Sequence, residues 1–186
     1  MVYDSELNTI TTERLVLRNI AESDLYDFYD FARDPEVGPR AGWQPHRSLD
    51  ESRAFLSMFK KRPLYFAITV KGEDRMIGSI EAMGYGLENH GKVKEIGYVL
   101  CRREWGKGYM TEACQAMVDF CFEVLGCEKL LCESFEPNKA SANVQRKCGF
   151  EEAGRTRMFT RWIDGEICDR IDRCITLDSW KERSRR

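Results

Sequence analysis

Histidine is scarce in this 186-residue chain, which has only His46 and His90. Eight cysteines are present (101, 114, 121, 127, 132, 148, 168 and 174), yet no two stand as C-x-x-C. A zinc site needs clustered Cys/His ligands, so no metal is expected. Most of the cysteines replace an apolar residue inside a periodic pattern. They read as reduced, mostly buried thiols of a cytoplasmic protein. Long apolar runs are missing too, and nothing approaches the roughly 20 residues a membrane helix needs. The first ten residues lack both a basic start and an apolar stretch, which argues against a signal peptide. Charge of one sign is also lacking: 29 Lys+Arg face 31 Asp+Glu for a formal charge of -2, so no global basic field exists for nucleic acid. Pro/Gly/Ser-rich linkers, repeats and low-complexity tracts are absent. The expectation is one domain over 1–186, with the basic residues of 181–186 as a frayed, solvated tail.

What is present suits a globular protein: 42% apolar and 32% charged residues. A first strand is expected over 12–18 and a helix over 23–33 capped by Ser23, followed by a loop over 35–45. A capping box at Ser48-Leu49-Asp50-Glu51 starts a helix that reaches about 60. Strands follow over 64–70, 76–83 and 93–101. A helix over 109–125 carries an apolar stripe through Met110, Ala113, Cys114, Met117, Cys121 and Val124. Then come a strand over 129–135, a short helix over 138–148, and two strands over 150–162 and 166–177 joined at the Asp164-Gly165 turn signal. The order β-α-α-β-β-β-α-β-α-β-β predicts an α/β fold with a mixed, mostly antiparallel sheet and helices on both faces.

Between the strand ending near 101 and the helix from 109 lies Arg103-x-x-Gly106-x-Gly108. A helix N-terminus carries unpaired amides and partial positive charge, and glycines let backbone approach an anion. Such a loop cradles a phosphate. The Walker pattern G-x-x-x-x-G-K-[ST] is absent, and no third glycine completes G-x-G-x-x-G. Taken alone, the loop is equally a tight turn with no ligand.

The flanks decide more. Glu95-Ile96-Gly97-Tyr98-Val99-Leu100 precedes the loop, and Trp105-Gly106-Lys107-Gly108-Tyr109-Met110-Thr111-Glu112-Ala113 runs through it. Asn138-x-x-Ser141-x-Asn143-(x5)-Gly149-Phe150 follows. Together these resemble the GNAT superfamily of N-acetyltransferases. Thr12-x-Arg14-Leu15-x-Leu17-Arg18 and the Asn-x-x-Ser helix resemble its RimJ/RimL-like branch, whose named members acetylate N-terminal amines of ribosomal proteins. The resemblance runs from Thr12 to Leu177. It implies that acetyl-CoA lies in a V between the strand ending at Cys101 and the strand at 130–135. Pantetheine would follow Tyr98, Val99 and Leu100. The pyrophosphate would meet the amides of Trp105, Gly106, Lys107, Gly108, Tyr109 and Met110, with charge from Arg103 and Lys107. Asn138 and Asn143 match positions that contact the cofactor arm; the alternative for each is a helix cap or a solvated face, and for Asn138 the cofactor contact is the expectation.

The chemistry implied is direct attack of an amine on a thioester. The ammonium must lose a proton, at a reference pKa near ~8 for an α-amine and ~10.4 for a lysine amine. The carbonyl oxygen needs a positioned N–H, from Val99 or Leu100, and the thiolate needs stabilising. Glu95 is the candidate base, acting through water, with Glu81 in reserve. Relatives often carry a tyrosine acid where this chain has Gln145, so Ser141 is the candidate for the leaving group. The acceptor is expected against Trp43 and His46 of the 42–46 loop, Glu81, the 84–91 segment and the hairpin near 160–166. The expected partners are acetyl-CoA and an amine acceptor, foremost a protein or peptide N-terminal α-amine, with no nucleic acid or membrane; the chain is expected as a monomer or homodimer. Rival readings are a small-amine acetyltransferase (polyamine, amino acid or antibiotic), a non-catalytic acyl-CoA sensor on the same fold, and a nucleotide- or phosphate-binding domain of another class.

Overall fold

Adjacent residues of a strand face opposite sides of a sheet. Tyr65 and Phe66 open the strand Tyr65–Val70 and do so here. The Tyr65 ring stacks on Phe59 with centroids 4.3 Å apart, whereas Phe66 meets Phe120 edge-on at 6.3 Å. Phe59 closes one helix and Phe120 lies in another, so helices cover both faces. The computed structural model describes residues 1–6, 8–85, 91–159 and 167–185.

In chain order the strands are β1 Val2–Asp4, β2 Thr9–Thr11, β3 Leu15–Asn19, β4 Tyr65–Val70, β5 Met76–Gly84, β6 Val93–Leu100, β7 Lys129–Phe135, β8 Glu151–Phe159 and β9 Ile167–Thr176. The helices are α1 Leu25–Ala32, α2 Gly38–Ala41, α3 Leu49–Phe59, α4 Tyr109–Glu123, α5 Lys139–Lys147 and α6 Leu177–Ser184. One sheet in the order β1-β2-β3-β4-β5-β6-β7-β9-β8 holds every described strand. Its neighbours are antiparallel except β6 and β7. The mixed, mostly antiparallel sheet is therefore as expected.

The element order is longer than expected at both ends. β1 and β2 have three residues each, and only Ile10 of the six is fully buried, too little alternation to read. Ser23 is not the helix cap. The Asp24 carboxylate accepts from the Ala21 N–H at 2.8 Å and holds Arg18 at 2.7 and 2.8 Å, so a 3-10 turn at Glu22–Asp24 precedes α1. At α3 the Ser48 hydroxyl accepts from the Glu51 N–H at 3.2 Å as expected, but the Glu51 carboxylate takes the Arg47 N–H. The expected loop at 35–45 contains α2, closed by Gly42 at φ +93°. Of the basic segment expected as a tail, the residues through Ser184 belong to α6. Trp180 stacks on Phe122 at 5.3 Å and donates to Asp119, while Arg183 donates to the Lys147 carbonyl at 3.0 Å. Its cap, Thr176 accepting from the Ser179 N–H, is a readable signal that the strand pattern obscured. The Asp164-Gly165 turn lies outside the described residues.

Six cysteines are buried and two half-buried, all as free thiols. Among the described residues no helix is long and apolar enough to cross a membrane.

Candidate active site

The sheet opens at one place. β6 and β7 pair at only three positions, ending at Glu95 opposite Leu131. Beyond that, β7 continues against β9 as far as Phe135 opposite Arg170. Among the described strands, the edge of β6 past Glu95 has no partner on that side. Which backbone groups face the gap follows from alternation. The Cys101 N–H donates to the Ile77 carbonyl of β5 at 2.8 Å. Two and four residues back, Val99 and Gly97 therefore also turn their N–H groups to β5. Ile96, Tyr98 and Leu100 turn theirs the other way; that of Ile96 is taken by β7 where Glu95 pairs with Leu131, and those of Tyr98 and Leu100 face the gap. The Leu100 carbonyl agrees, since it accepts from Trp105 Nε1 across the gap side at 2.8 Å. This corrects one expectation: Val99 is spent on the ladder, and only Leu100 of that pair has an N–H left for a ligand.

At the end of β6 the chain enters the glycine loop. Gly106 and Gly108 sit at φ +78° and +83°, left-handed conformations that other residues adopt at a cost. Nothing lies within 4 Å of a Cβ built on Gly106, so backbone is bare there. Gly108 starts the 15-residue α4, whose first amides are unpaired. Arg14 braces the loop: its Nη1 donates to the Lys107 carbonyl at 3.1 Å and its guanidinium lies 4.8 Å over the Tyr109 ring. Glu112 holds Arg14 in turn, accepting from its backbone N–H and its Nε at 2.8 and 2.7 Å.

A cavity of about 540 Å³ follows the gap from this loop to Glu95. Glu95, Tyr98, Val99, Leu100, Trp105, Gly106, Gly108, Tyr109, Met110, Asn138, Ser141 and Asn143 all line it, so sequence positions up to 48 apart meet on one surface. Bare glycine backbone at a helix start beside an unpaired strand edge fits a phosphate joined to an extended, amide-bearing arm such as that of CoA.

Five expected site residues stand elsewhere. Arg103 reaches back to Asp30 at 3.6 Å, and Lys107 is held by Glu104 at 2.8 Å, so neither charge lines the cavity. His46 is 6% exposed; its Nδ1 lies 2.7 Å from Ser52 Oγ and its ring stacks on Phe55 at 4.9 Å. Burial pushes the His46 imidazole below its usual pKa, opposed by Glu51. Trp43 packs against Gly38, where a Cβ would stand 2.9 Å from its Nε1, and that nitrogen has no hydrogen-bond partner among the described residues. Glu81 is ion-paired with Arg62 at 2.8 Å, away from the cavity. Asn138 lines the cavity but is a cap: its Oδ1 accepts from the Ser141 N–H at 3.1 Å, and its Nδ2 donates to the Arg40 carbonyl at 3.0 Å. Asn143 accepts from Arg146. Of the expected acceptor segments, residues 86–90 and 160–166 lie outside the described residues.

Other residues line the cavity unannounced. Arg40 and Lys147 bring the cations that Arg103 and Lys107 do not. Lys147 follows Asn143 by one helical turn, a spacing that could have revealed it; Arg40 sits on the four-residue α2, which sequence patterning did not show. Glu133 and Arg170 line the cavity too. Register puts Glu95 and Tyr98 on opposite faces of the sheet. Glu95 shares the face of Glu81 and Tyr65, while Tyr98 shares that of Ile80 and Phe66. Glu133 pairs directly with Asp172 on the Glu95 face. Arg170 binds both, Glu133 at 3.1 Å and Asp172 at 2.7 Å. Glu95 has no hydrogen-bond partner among the described residues. Burial first, then the charge of Glu133, pushes the Glu95 carboxyl above its ordinary range. On the other face, the Tyr98 hydroxyl lies 3.0 Å from Ser141 Oγ, and Gln145 Nε2 donates to the same oxygen at 3.2 Å.

The family model described as the acetyltransferase (GNAT) domain matches residues 14–151. An uncharacterized N-acetyltransferase p20 of Bacillus licheniformis is 28% identical over 170 residues, 88% of this chain and 93% of the relative. A ribosomal protein uS5-alanine N-acetyltransferase of Escherichia coli (strain K12) is 24% identical over 183 residues, 92% of each chain. The crystal structure of an acetyltransferase (GNAT family) from Bacillus anthracis shares the fold at a TM-score of 0.82 and 22% identity, over 91% of this chain and 99% of that one.

Proposed function

From the premise that this chain belongs to the GNAT acetyltransferase family, acyl-CoA-dependent N-acetyltransferases of the RimJ/RimL-like kind, we propose that it moves the acetyl group of acetyl-CoA to a protein or peptide N-terminal α-amine. The observation that carries this is Glu95 at the vertex of the gap between β6 and β7. It is half-buried and unpaired, with the bare β6 edge running from it to the glycine loop.

The donor supplies an acetyl thioester. The amides of the Gly106–Gly108 loop and the start of α4 hold its pyrophosphate, with Arg40 and Lys147 adding charge. Leu100 offers its N–H to the pantetheine arm, and the Tyr98 N–H, nearer to Glu95 along β6, stabilises the carbonyl oxygen as it gains charge. The amine enters from the Glu95 face. Glu95 takes its proton through water, helped by burial, which makes this carboxylate more basic than an exposed one. Ser141 faces the thiolate from the opposite side of the sheet.

Charge at the vertex supports the choice of acceptor. Arg170 neutralises part of the Glu133 and Asp172 charge, and of these three carboxylates Glu95 is the one with no ion-pair partner among the described residues. One free carboxylate suits one ammonium, whereas a polyamine would draw on several. An α-amine is also easier to deprotonate than an alkyl amine by about two pKa units. The uS5-alanine enzyme among the relatives is named for an acceptor of this kind. The test is thiol release from acetyl-CoA against N-terminal peptides, spermidine, amino acids and aminoglycosides. The expected result is kcat/KM at least tenfold higher for a peptide starting with a small residue. A clear preference for spermidine or an aminoglycoside overturns the acceptor, and CoA binding without release for any amine favours a sensor.

A further inference from the structure

Gln145 is completely buried behind the cavity wall. We propose that Gln145 is a positioning residue: it orients the Ser141 hydroxyl as a hydrogen-bond donor to the sulfur of CoA, which rests on the acetyl-CoA reading above.

Obligate partners settle the orientation of the Gln145 amide. Arg173 can only donate, and its Nη1 lies 2.8 Å from Gln145 Oε1. The Glu133 carbonyl can only accept, and Gln145 Nε2 lies 2.9 Å from it. The amide cannot flip without placing donor against donor and acceptor against acceptor. Its second Nε2 hydrogen is then aimed at Ser141 Oγ, 3.2 Å away. Ser134 holds the Oε1 end as well, bonded to Arg173 at 3.0 Å and to Gln145 at 3.4 Å.

Tyr98 works on Ser141 from the other side. Its hydroxyl lies 3.2 Å from the Ser141 carbonyl, which can only accept, and 3.0 Å from Ser141 Oγ. The Tyr98 hydrogen therefore goes to a Ser141 oxygen. Gln145 Nε2 fills one side of Ser141 Oγ with a hydrogen. That leaves the Ser141 hydrogen two acceptors, Tyr98 Oη when the Tyr98 hydrogen is on the Ser141 carbonyl, and a sulfur in the cavity that Ser141 lines. Burial keeps the Tyr98 phenol protonated and so a donor. A serine is too weak an acid to give up its proton here, and none is needed. The amine nitrogen bonds the carbonyl carbon and loses a proton through water to Glu95, the C–S bond breaks with its electron pair on sulfur, and Ser141 lends a hydrogen bond until solvent protonates the thiolate.

The probe is CoA itself, so no acceptor has to be known. Bound CoA is titrated by the ultraviolet absorbance of its thiolate, with desulfo-CoA as the blank. Wild type is compared with Ser141→Ala, Gln145→Met and the double variant. A donor on sulfur lowers the thiol pKa, so each single variant is expected to raise the bound-thiol midpoint by about one unit. The double variant should match Ser141→Ala alone, because Gln145 acts only through Ser141. CoA affinity below the midpoint should stay within threefold. Gln145→Glu keeps an acceptor for Arg173 while removing the donor to Ser141, and it serves where Gln145→Met does not fold. Equal midpoints in wild type and Ser141→Ala overturn the proposal, as do additive shifts in the double variant. Failure of CoA to bind at all sinks the acetyl-CoA reading instead.

Discussion

Glu81 and Glu95 are two glutamates on the same face of neighbouring strands, and only one is free to act. Glu81 lies against Arg62, which also packs over the Phe59 ring at 5.3 Å. Glu95 lines the cavity with no hydrogen-bond or ion-pair partner among the described residues. Glu95→Gln is expected to lower kcat by about 100-fold, the lower range of general-base contributions, in a steady-state thiol-release assay. The sign of the pH effect follows from the raised pKa. Wild-type kcat falls as pH drops through that raised value and Glu95 becomes protonated, and the variant loses this acid limb. His46 belongs to stability instead. Its lowered pKa means that the folded state binds fewer protons than the unfolded one, so stability is whole above about pH 6.5 and declines as pH falls below it. The urea midpoint should drop between pH 7 and 5, and drop less in His46→Gln, with KM for acetyl-CoA unchanged. Sequence pattern could not separate these roles. A histidine in a Gly/Pro-rich segment looks exposed until α1 and α3 close over it, and a glutamate in a strand gives no sign of whether an arginine awaits it.

Elements were legible where their signals are local. The α4 stripe from Met110 to Cys121, the Ser48 cap and the glycine turn depend on residues within one or two turns of each other and form locally, while Val124, expected on the stripe, lies past the end of α4 and is exposed. The loop's φ values make a direct expectation. Gly108→Ala costs about 1–2 kcal/mol in backbone strain and brings a Cβ to 3.4 Å from Arg14 Nη2. CoA affinity measured by calorimetry should fall about tenfold or more, and Gly106→Ala should do likewise through strain alone. Short elements escaped because they lack such signals. α2 has four residues and follows from packing, and β1 and β2 form because β3 offers an edge to pair with. The charges of the loop misled for a related reason. Arg103 and Lys107 sit beside the phosphate site in sequence, but Asp30 and Glu104 are nearer to them in space.

At the scale of the whole molecule, the site is a consequence of one parallel pair in an otherwise antiparallel sheet. β6 and β7 run side by side for three positions and then separate, because β7 stays with β9 while β6 stays with β5. The separation lets groups on opposite faces address one cavity: Glu95 from the α3 side, Tyr98 and Ser141 from the α4 side. CoA at about 100 times its Kd should stabilise the fold by about 2.7 kcal/mol, visible as a rise in Tm, while NAD should leave Tm unmoved. A shift with NAD and none with CoA would point to a nucleotide-binding domain of another class.

The chain's own order of residues determined what kind of donor it handles. A glycine-rich strand-to-helix turn flanked by the Glu95 strand and the Asn138 helix is a local pattern, and the bare backbone at a helix start that it forms is local as well. Tertiary structure decided which side chains serve that cradle and the chemistry beside it. Glu95, Glu133, Arg170 and Asp172 come from three strands, and Gln145, Arg173 and Ser141 from a helix and a strand far apart in sequence. Hydrogen-bond register between strands brings the first set together; in the second, Ser141 and Gln145 stand one helical turn apart on α5, and only the packing of α5 against the sheet adds Arg173 of β9.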